Sequence, residues 1–276
     1  MNTYYTVVTY VLAGLFGLCV GSFLNVVIYR VPNGMSLSTP SSHCPRCKYT
    51  LRWYDNIPVI SYLMLGGKCR SCKARISPRY TAVEIANMLL WLLSVTLFWD
   101  KSIPLALISA LASTIFICVF FIDLEHKLVF DRFVIALLAL GVASCFFDLY
   151  YGWLSHIIGG AAGFLSFYLV SAAFEKLRGK EGLGGGDIKL TGAVGLILGW
   201  ERLLLSIVIA TVTASIVLVI ISKRAERKKS AQEDSECEDS GADVEYPFAP
   251  FLTVAFAIAL FFGHSIINGY LSLLGV

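Results

Sequence analysis

The sequence predicts an all-α polytopic membrane protein of about eight transmembrane helices, carrying a small cytoplasmic zinc-binding module. Three observations predict it. The chain is 57% hydrophobic and 15% charged, with a mean hydropathy of +0.73, outside the range of soluble domains. No charge occurs in residues 1–29, 103–122, 149–174, 203–222 or 246–276, and shorter uncharged runs occupy 85–99, 133–147 and 190–200. Spanning the hydrocarbon takes roughly 20 mostly apolar residues. The third observation is a pair of Cys-x-x-Cys motifs inside the longest polar stretch of the first third of the chain.

The elements follow in order. Residues 1–29 form the first span. They lack a basic leader region and run into Asn25, Tyr29 and Arg30, which suits a retained helix better than a cleaved signal. Residues 30–79 are polar, with turn formers at Pro32-Asn33-Gly34 and Pro40, and form the module. Residues 80–222 hold the membrane core, which opens with Glu84 near one end of its first helix. The uncharged run at 190–200 is too short to cross alone. Its first turn, with Asp187 and Lys189, must lie against protein, or the segment is a partial span. Residues 223–245 carry five basic and eight acidic residues with almost nothing apolar, the composition of a disordered linker. Residues 246–276 are the last span, entered through Pro247 and Pro250.

Orientation follows from the basic residues. Arg30 to Arg79 holds nine of them against the single acid Asp55, and alternate loops across eight spans collect 20 of the 22 Lys and Arg residues. Only Lys101 and Arg202 fall opposite. The basic loops are therefore expected to be cytoplasmic, with Asp123 and Asp187 at the same membrane face. A net charge of +3 gives no argument for nucleic acid. Small residues at four-residue spacing, Gly17 and Gly21, Gly159 and Gly163, Gly195 and Gly199, would let helices approach closely.

Cys44, Cys47, Cys69 and Cys72 lie in two pairs separated by 21 residues. Such pairs supply four thiolates to a closed tetrahedral zinc site with a structural role, and a module of this size would depend on the metal to fold. Disulfides are the rival reading, disfavoured in a reducing compartment.

Ionisable residues at the membrane mark function by default. Asp123 and Asp187 each sit where a long uncharged stretch meets a short polar one, and Asp187 closes the run Gly184-Gly185-Gly186-Asp187. Two carboxylates sharing a proton can activate water and protonate a leaving amine. The glycines would allow a tight turn and leave room for an extended substrate strand. No Gly-Lys-Ser/Thr follows, so the run is not a phosphate loop. Interfacial aspartates are also ordinary anchors, and Asp100, Asp131 and Asp148 are read so.

With these motifs in one order, the chain resembles the type IV prepilin peptidase family, the bacterial branch of the Gly-x-Gly-Asp intramembrane aspartyl proteases. The resemblance runs through Gly21 to Arg30, both cysteine pairs, Asn56 to Tyr62, Gly67-Lys68, Arg79-Tyr80 with Glu84, Asp123-Leu124-Glu125-His126 and Gly184 to Leu190. It implies that Asp123 and Asp187 are catalytic. It also implies an enzyme of the bacterial inner membrane that cuts the leader of prepilins and pseudopilins at the cytoplasmic face. The new terminal amine is then methylated with S-adenosylmethionine as donor. Lys68 and Glu84 are candidates for methyl-transfer or substrate contacts. The chain departs from the family pattern at Val129-Phe130-Asp131, where Leu-Pro-Asp is usual, and at Pro247-Phe248-Ala249-Pro250, where Pro-Phe-Gly-Pro is usual. Neither departure is expected to touch the carboxylates. The alternatives are a peptidase without methyl transfer, or a transporter or assembly subunit that uses the aspartates for protons or cations.

Overall fold

The computed structural model describes residues 3–148, 151–179, 183–230 and 247–275. Among them the secondary structure is helical apart from two isolated bridges. The helices are α1 (Thr3–Arg30), the short α2 (Ile60–Met64), α3 (Pro78–Phe98), α4 (Ile103–His126), α5 (Asp131–Phe147), α6 (Trp153–Arg178), α7 (Gly185–Leu198), α8 (Trp200–Ser230) and α9 (Ala249–Leu273). Leaving α2 aside, they match the eight uncharged runs one for one. Six of them are individually long and apolar enough to cross a membrane, so the chain is a multi-pass membrane protein. The exceptions are α5, with 17 residues, and α7, with 14. At 1.5 Å per residue α7 reaches about 21 Å, short of the roughly 30 Å hydrocarbon. It is a partial span walled in by α5, α6, α8 and α9, with Leu190, Ala193, Val194 and Leu198 fully buried.

The helix boundaries have local causes. Ser77 caps α3 by accepting the Arg79 N–H, with Pro78 at the first helical position. Ser102 caps α4 in the same way through Leu105 N–H. Lys127 ends α4 in the left-handed region, its N–H returning to the Asp123 carbonyl at 2.9 Å. In α9, Pro250 falls within the first turn, where a missing N–H costs nothing. The charged stretch begins as helix, since α8 continues through Ser230, so the expected linker does not start at Lys223. The remainder of that linker lies outside the described residues.

The core centres on α4, which packs against α1, α3, α5 and α9 and is the most buried of the long helices. Glycine sets the closest crossings. A Cβ on Gly17 or Gly21 would come within 2.8 Å of the α3 backbone, at Met88 and Glu84. Gly159 and Gly195 meet each other's carbonyls across α6 and α7, and Gly163 meets that of Thr191. The small-residue spacing thus marks α1–α3 and α6–α7 contacts, as expected.

Asp148 is not an exposed anchor. Its side chain is buried, paired with Arg202 and 3.5 Å from His156 Nε2. Ser155 donates to Glu201 beside them at 2.7 Å. Arg202, one of the two basic residues that broke the charge asymmetry, is therefore neutralised inside the protein.

Candidate functional site

Asp123 lies in the last turn of α4 and is buried. Its carboxylate accepts the backbone N–H of Ala249, the first residue of α9. Among the described residues its Oδ2 accepts no hydrogen bond. Asp187 occupies the first turn of α7 and is half-buried. Burial first, and then the charge of Asp123, push the Asp187 carboxyl up to about 7. The charge of Asp123 acts on Asp187 only at short range, so the two aspartates lie close together, as the sequence expected. Such a pair titrates as a unit, holding below about pH 7 a proton that an isolated aspartate would have lost.

The glycines before Asp187 make their turn without left-handed backbone. Gly184 precedes α7 with φ −59° and ψ 133°, and none of Gly184, Gly185 and Gly186 has positive φ. Gly186 permits close packing, because a Cβ there would meet Val129 Cβ at 2.7 Å. A Cβ on Gly185 would meet nothing within 4 Å, and one on Gly184 only the Asp187 carboxylate at 3.9 Å. Gly185 has open space beside it, and the tight turn takes the form of the first turn of α7, with Asp187 N–H on the Gly184 carbonyl at 3.0 Å and no positive φ.

The departure at Val129 leaves the carboxylates untouched, as expected, and meets only the backbone beside Asp187, whereas the one at Ala249 reaches Asp123, contrary to expectation. Val129 packs on Gly186, and Ala249 supplies a backbone donor to Asp123. Around the pair, Arg79 at the start of α3 pairs with Glu125 and lies over the Phe121 ring, while Lys189 pairs with Asp131 at 2.8 Å.

The four cysteines of the module converge, with their sulfur atoms all within 4.8 Å of one another. Cys44 and Cys72, and Cys47 and Cys69, are 3.9 Å apart. That is near the edge of about 3.8 Å for a tetrahedron with 2.3 Å metal–sulfur bonds and far too long for a disulfide. Each pair is shaped by the same turn. Lys48 N–H returns to Cys44 and Lys73 N–H to Cys69, with both lysines left-handed. Backbone amides, chiefly that of Cys47 towards Cys44 and that of Tyr49 towards Cys47, lower those two thiol pKa values. At Cys72 the Ala74 amide is outweighed by burial and the neighbouring thiols, which push the thiol up to about 11. The arrangement can hold a metal ion and leaves no protein-free corner for chemistry. Asp55 completes the module from within, its carboxylate bound by Arg70 at 2.8 Å and by Arg52 N–H. Sequence reasoning passed it over, although it is the one acid among nine basic residues.

Lys68 is exposed and lines a cavity of about 550 Å³ with Tyr62, Gly67, Arg75 and Pro78. Glu84 does not share that cavity. It is buried between α1 and α3, accepting Val59 N–H at 2.8 Å and the Ser22 hydroxyl.

The family model for the bacterial peptidase A24 N-terminal domain matches residues 15–98, and that for the type IV leader peptidase family matches 110–219. A Pseudomonas aeruginosa protein named prepilin leader peptidase/N-methyltransferase is 36% identical over 95% of this chain and 93% of its own length. The chain belongs to the type IV leader peptidase family. Proteins of the same name from Aeromonas salmonicida and Dichelobacter nodosus are 32% and 40% identical, over 94% and 64% of this chain and 92% and 71% of theirs. No solved structure matches. Within this leader peptidase the first family model ends at residue 98, where α3 ends, and the second begins at residue 110, inside α4. The module and its two flanking helices thus form the first unit, and both aspartates belong to the second.

Proposed function

We propose that this leader peptidase removes the N-terminal leader of prepilins and pseudopilins at the cytoplasmic face of the bacterial inner membrane, then methylates the exposed amine. One observation carries the first step: Asp187, half-buried in the first turn of α7, lies close enough to Asp123, in the last turn of α4, for that carboxylate's charge to act on it. The ionised partner takes a proton from water as the water attacks the scissile carbonyl. The protonated partner donates to the carbonyl oxygen and, on collapse, a proton passes to the leaving amine. The N–H of Ala249 holds the Asp123 carboxylate throughout, and the open side at Gly184 and Gly185 admits the extended substrate. Both carboxylates sit at helix ends, which suits hydrolysis at the membrane surface better than a proton path through it.

The cytoplasmic assignment rests on the basic loops. Zinc fits the four-thiolate set as a structural ion that orders residues 30–79. The relatives' shared name suggests a methyl donor for this chain, and S-adenosylmethionine is the donor that the sequence resemblance implies. The cavity by Lys68 suits it chemically. Lys68 and Arg75 offer cations for a carboxylate, and Tyr62 an aromatic wall.

Incubating the purified enzyme with a synthetic prepilin and labelled S-adenosylmethionine, then reading product masses, tests both steps. The expected products are the free leader and a mature peptide heavier by one methyl group. Uncleaved substrate would overturn the proposal, and cleavage without the added mass would remove its second half.

A further inference from the structure

Val59 is the most strained residue of the module. Its φ of 60° and ψ of −49° place a β-branched side chain where such residues are outliers. Ile60 N–H bonds back to the Pro58 carbonyl, which makes the rare, strained form of the three-residue turn. Strain of this kind persists only where surrounding structure imposes it. Here the Val59 N–H donates to Glu84 Oε2 at 2.8 Å, and Glu84 is 8% exposed. Its position is fixed in turn by the α1 crossing. Gly21 lies against the Glu84 backbone and Ser22 reaches the carboxylate.

The turn leads straight into α2, whose Leu63 N–H bonds the Val59 carbonyl at 3.1 Å. Tyr62 on that helix packs over Gly67, where a Cβ would meet its hydroxyl at 2.9 Å, and its carbonyl accepts Gly67 N–H at 2.9 Å. Gly67 and Tyr62 both line the cavity that Lys68 and Arg75 complete. An unbroken series of contacts therefore runs from the membrane helices to the cavity wall.

We infer that Glu84 is a positioning residue for methyl transfer. It clamps the Val59 turn to the membrane core and so holds Tyr62 and the cavity in the form that takes S-adenosylmethionine. This rests on the reading above that the cavity serves the donor. Glu84 itself touches protein and not the donor, so an uncharged acceptor of the same shape should serve as well.

The test uses the full-length enzyme in detergent, with two measurements. One is amide hydrogen exchange over residues 57–68. The other is KM for S-adenosylmethionine on a pre-cleaved peptide, with leader cleavage followed alongside. Glu84→Ala should speed exchange and raise that KM, each by about tenfold, as expected for one buried charged hydrogen bond. Cleavage should change by less than about twofold. Glu84→Gln, whose amide oxygen still accepts, should stay close to the unsubstituted enzyme in both measurements. Adding Val59→Gly to Glu84→Ala should recover part of the loss, because glycine holds this backbone without a clamp. Ser22→Ala, a milder change, should move both readings in the same direction and serves if Glu84→Ala does not fold. Unchanged exchange in both Glu84→Ala and Ser22→Ala would overturn the clamp. Faster exchange with an unchanged KM would overturn its role in donor binding, as would a Glu84→Gln enzyme as impaired as Glu84→Ala. The exchange measurement needs no methyl donor, so an unsubstituted enzyme that transfers no methyl group would sink the earlier reading while exchange alone still judged the clamp.

Discussion

The backbone N–H of Ala249 donates to the carboxylate of Asp123, joining the first turn of α9 to the last turn of α4. A helix N-terminus is a favourable setting for an anion, through its free amides and its dipole. Asp187, across from it, experiences that anion as a repulsive neighbour. Each aspartate thus lies at a helix N-terminus, Asp123 held by the amide of Ala249 and Asp187 in the first turn of α7, and they titrate together.

The donor is a backbone group, so the Ala249 side chain should be dispensable. Ala249→Gly keeps the N–H and restores the residue usual in the family. Leader cleavage should stay within about twofold, while stability falls by about 1 kcal/mol, the usual cost of glycine in a helix. Peptidase assays and thermal melts of the two proteins decide it. A cleavage loss above about tenfold would show that the buried methyl group, and not the amide, supports Asp123.

Asp123→Asn and Asp187→Asn should each reduce cleavage by at least about 10³-fold, and the double variant by little more, since the pair acts as a unit. Asp187 adds a stability signature. Its folded pKa is raised from 3.8 to about 7, so between these values the folded state keeps a proton that the unfolded state has lost. Stability therefore falls as pH rises through that window, the reverse of an ion-paired aspartate. Asp187→Asn should melt higher than the unsubstituted enzyme at pH 8, and the gap should close towards pH 4. A gap that widens on acidification would refute the shift.

What the sequence made legible was local. A membrane helix needs an unbroken apolar run, so each uncharged stretch became a helix, and the glycine spacings became crossings. The pairing of Asp123 with Asp187 could be read because charge asymmetry placed both on one face. The contacts that escaped depend on residues far apart in the chain. Nothing in Pro247-Phe248-Ala249-Pro250 says that its amide reaches α4, and nothing in Val59 says that Glu84 pins it. Asp148 looked like an anchor because Arg202 and His156, its partners, come from other helices. The glycine run was read for its turn, and its close packing on Val129 escaped because composition does not say which residue lies against Gly186.

The four-sulfur cluster predicts one zinc ion per chain. Elemental analysis should find it in the purified enzyme, and replacing any one of Cys44, Cys47, Cys69 and Cys72 by Ser should remove most of it. Strong chelation should loosen residues 30–79 in hydrogen exchange and suppress methyl transfer while measurable cleavage persists. Full zinc content after any single replacement would exclude that cysteine from the set.

The three glycines before Asp187 separate packing from substrate access. Gly186→Ala forces a Cβ to within 2.7 Å of Val129 Cβ, so α7 must shift and carry Asp187 with it. Its cleavage should fall on the order of 10²-fold, the cost of a displaced catalytic group, and adding Val129→Ala should return much of it by making space. Gly185→Ala meets no atom within 4 Å and removes a helix glycine, so the enzyme should be as stable as before or slightly more so. If the open side at Gly185 is where the substrate strand lies, the same change should raise KM for the prepilin several-fold with little change in kcat. A Gly185→Ala enzyme with unaltered KM would move the substrate strand to another side of α7. The opposite ranking, with Gly186→Ala harmless, would mean that the Val129 contact does not position Asp187 at all.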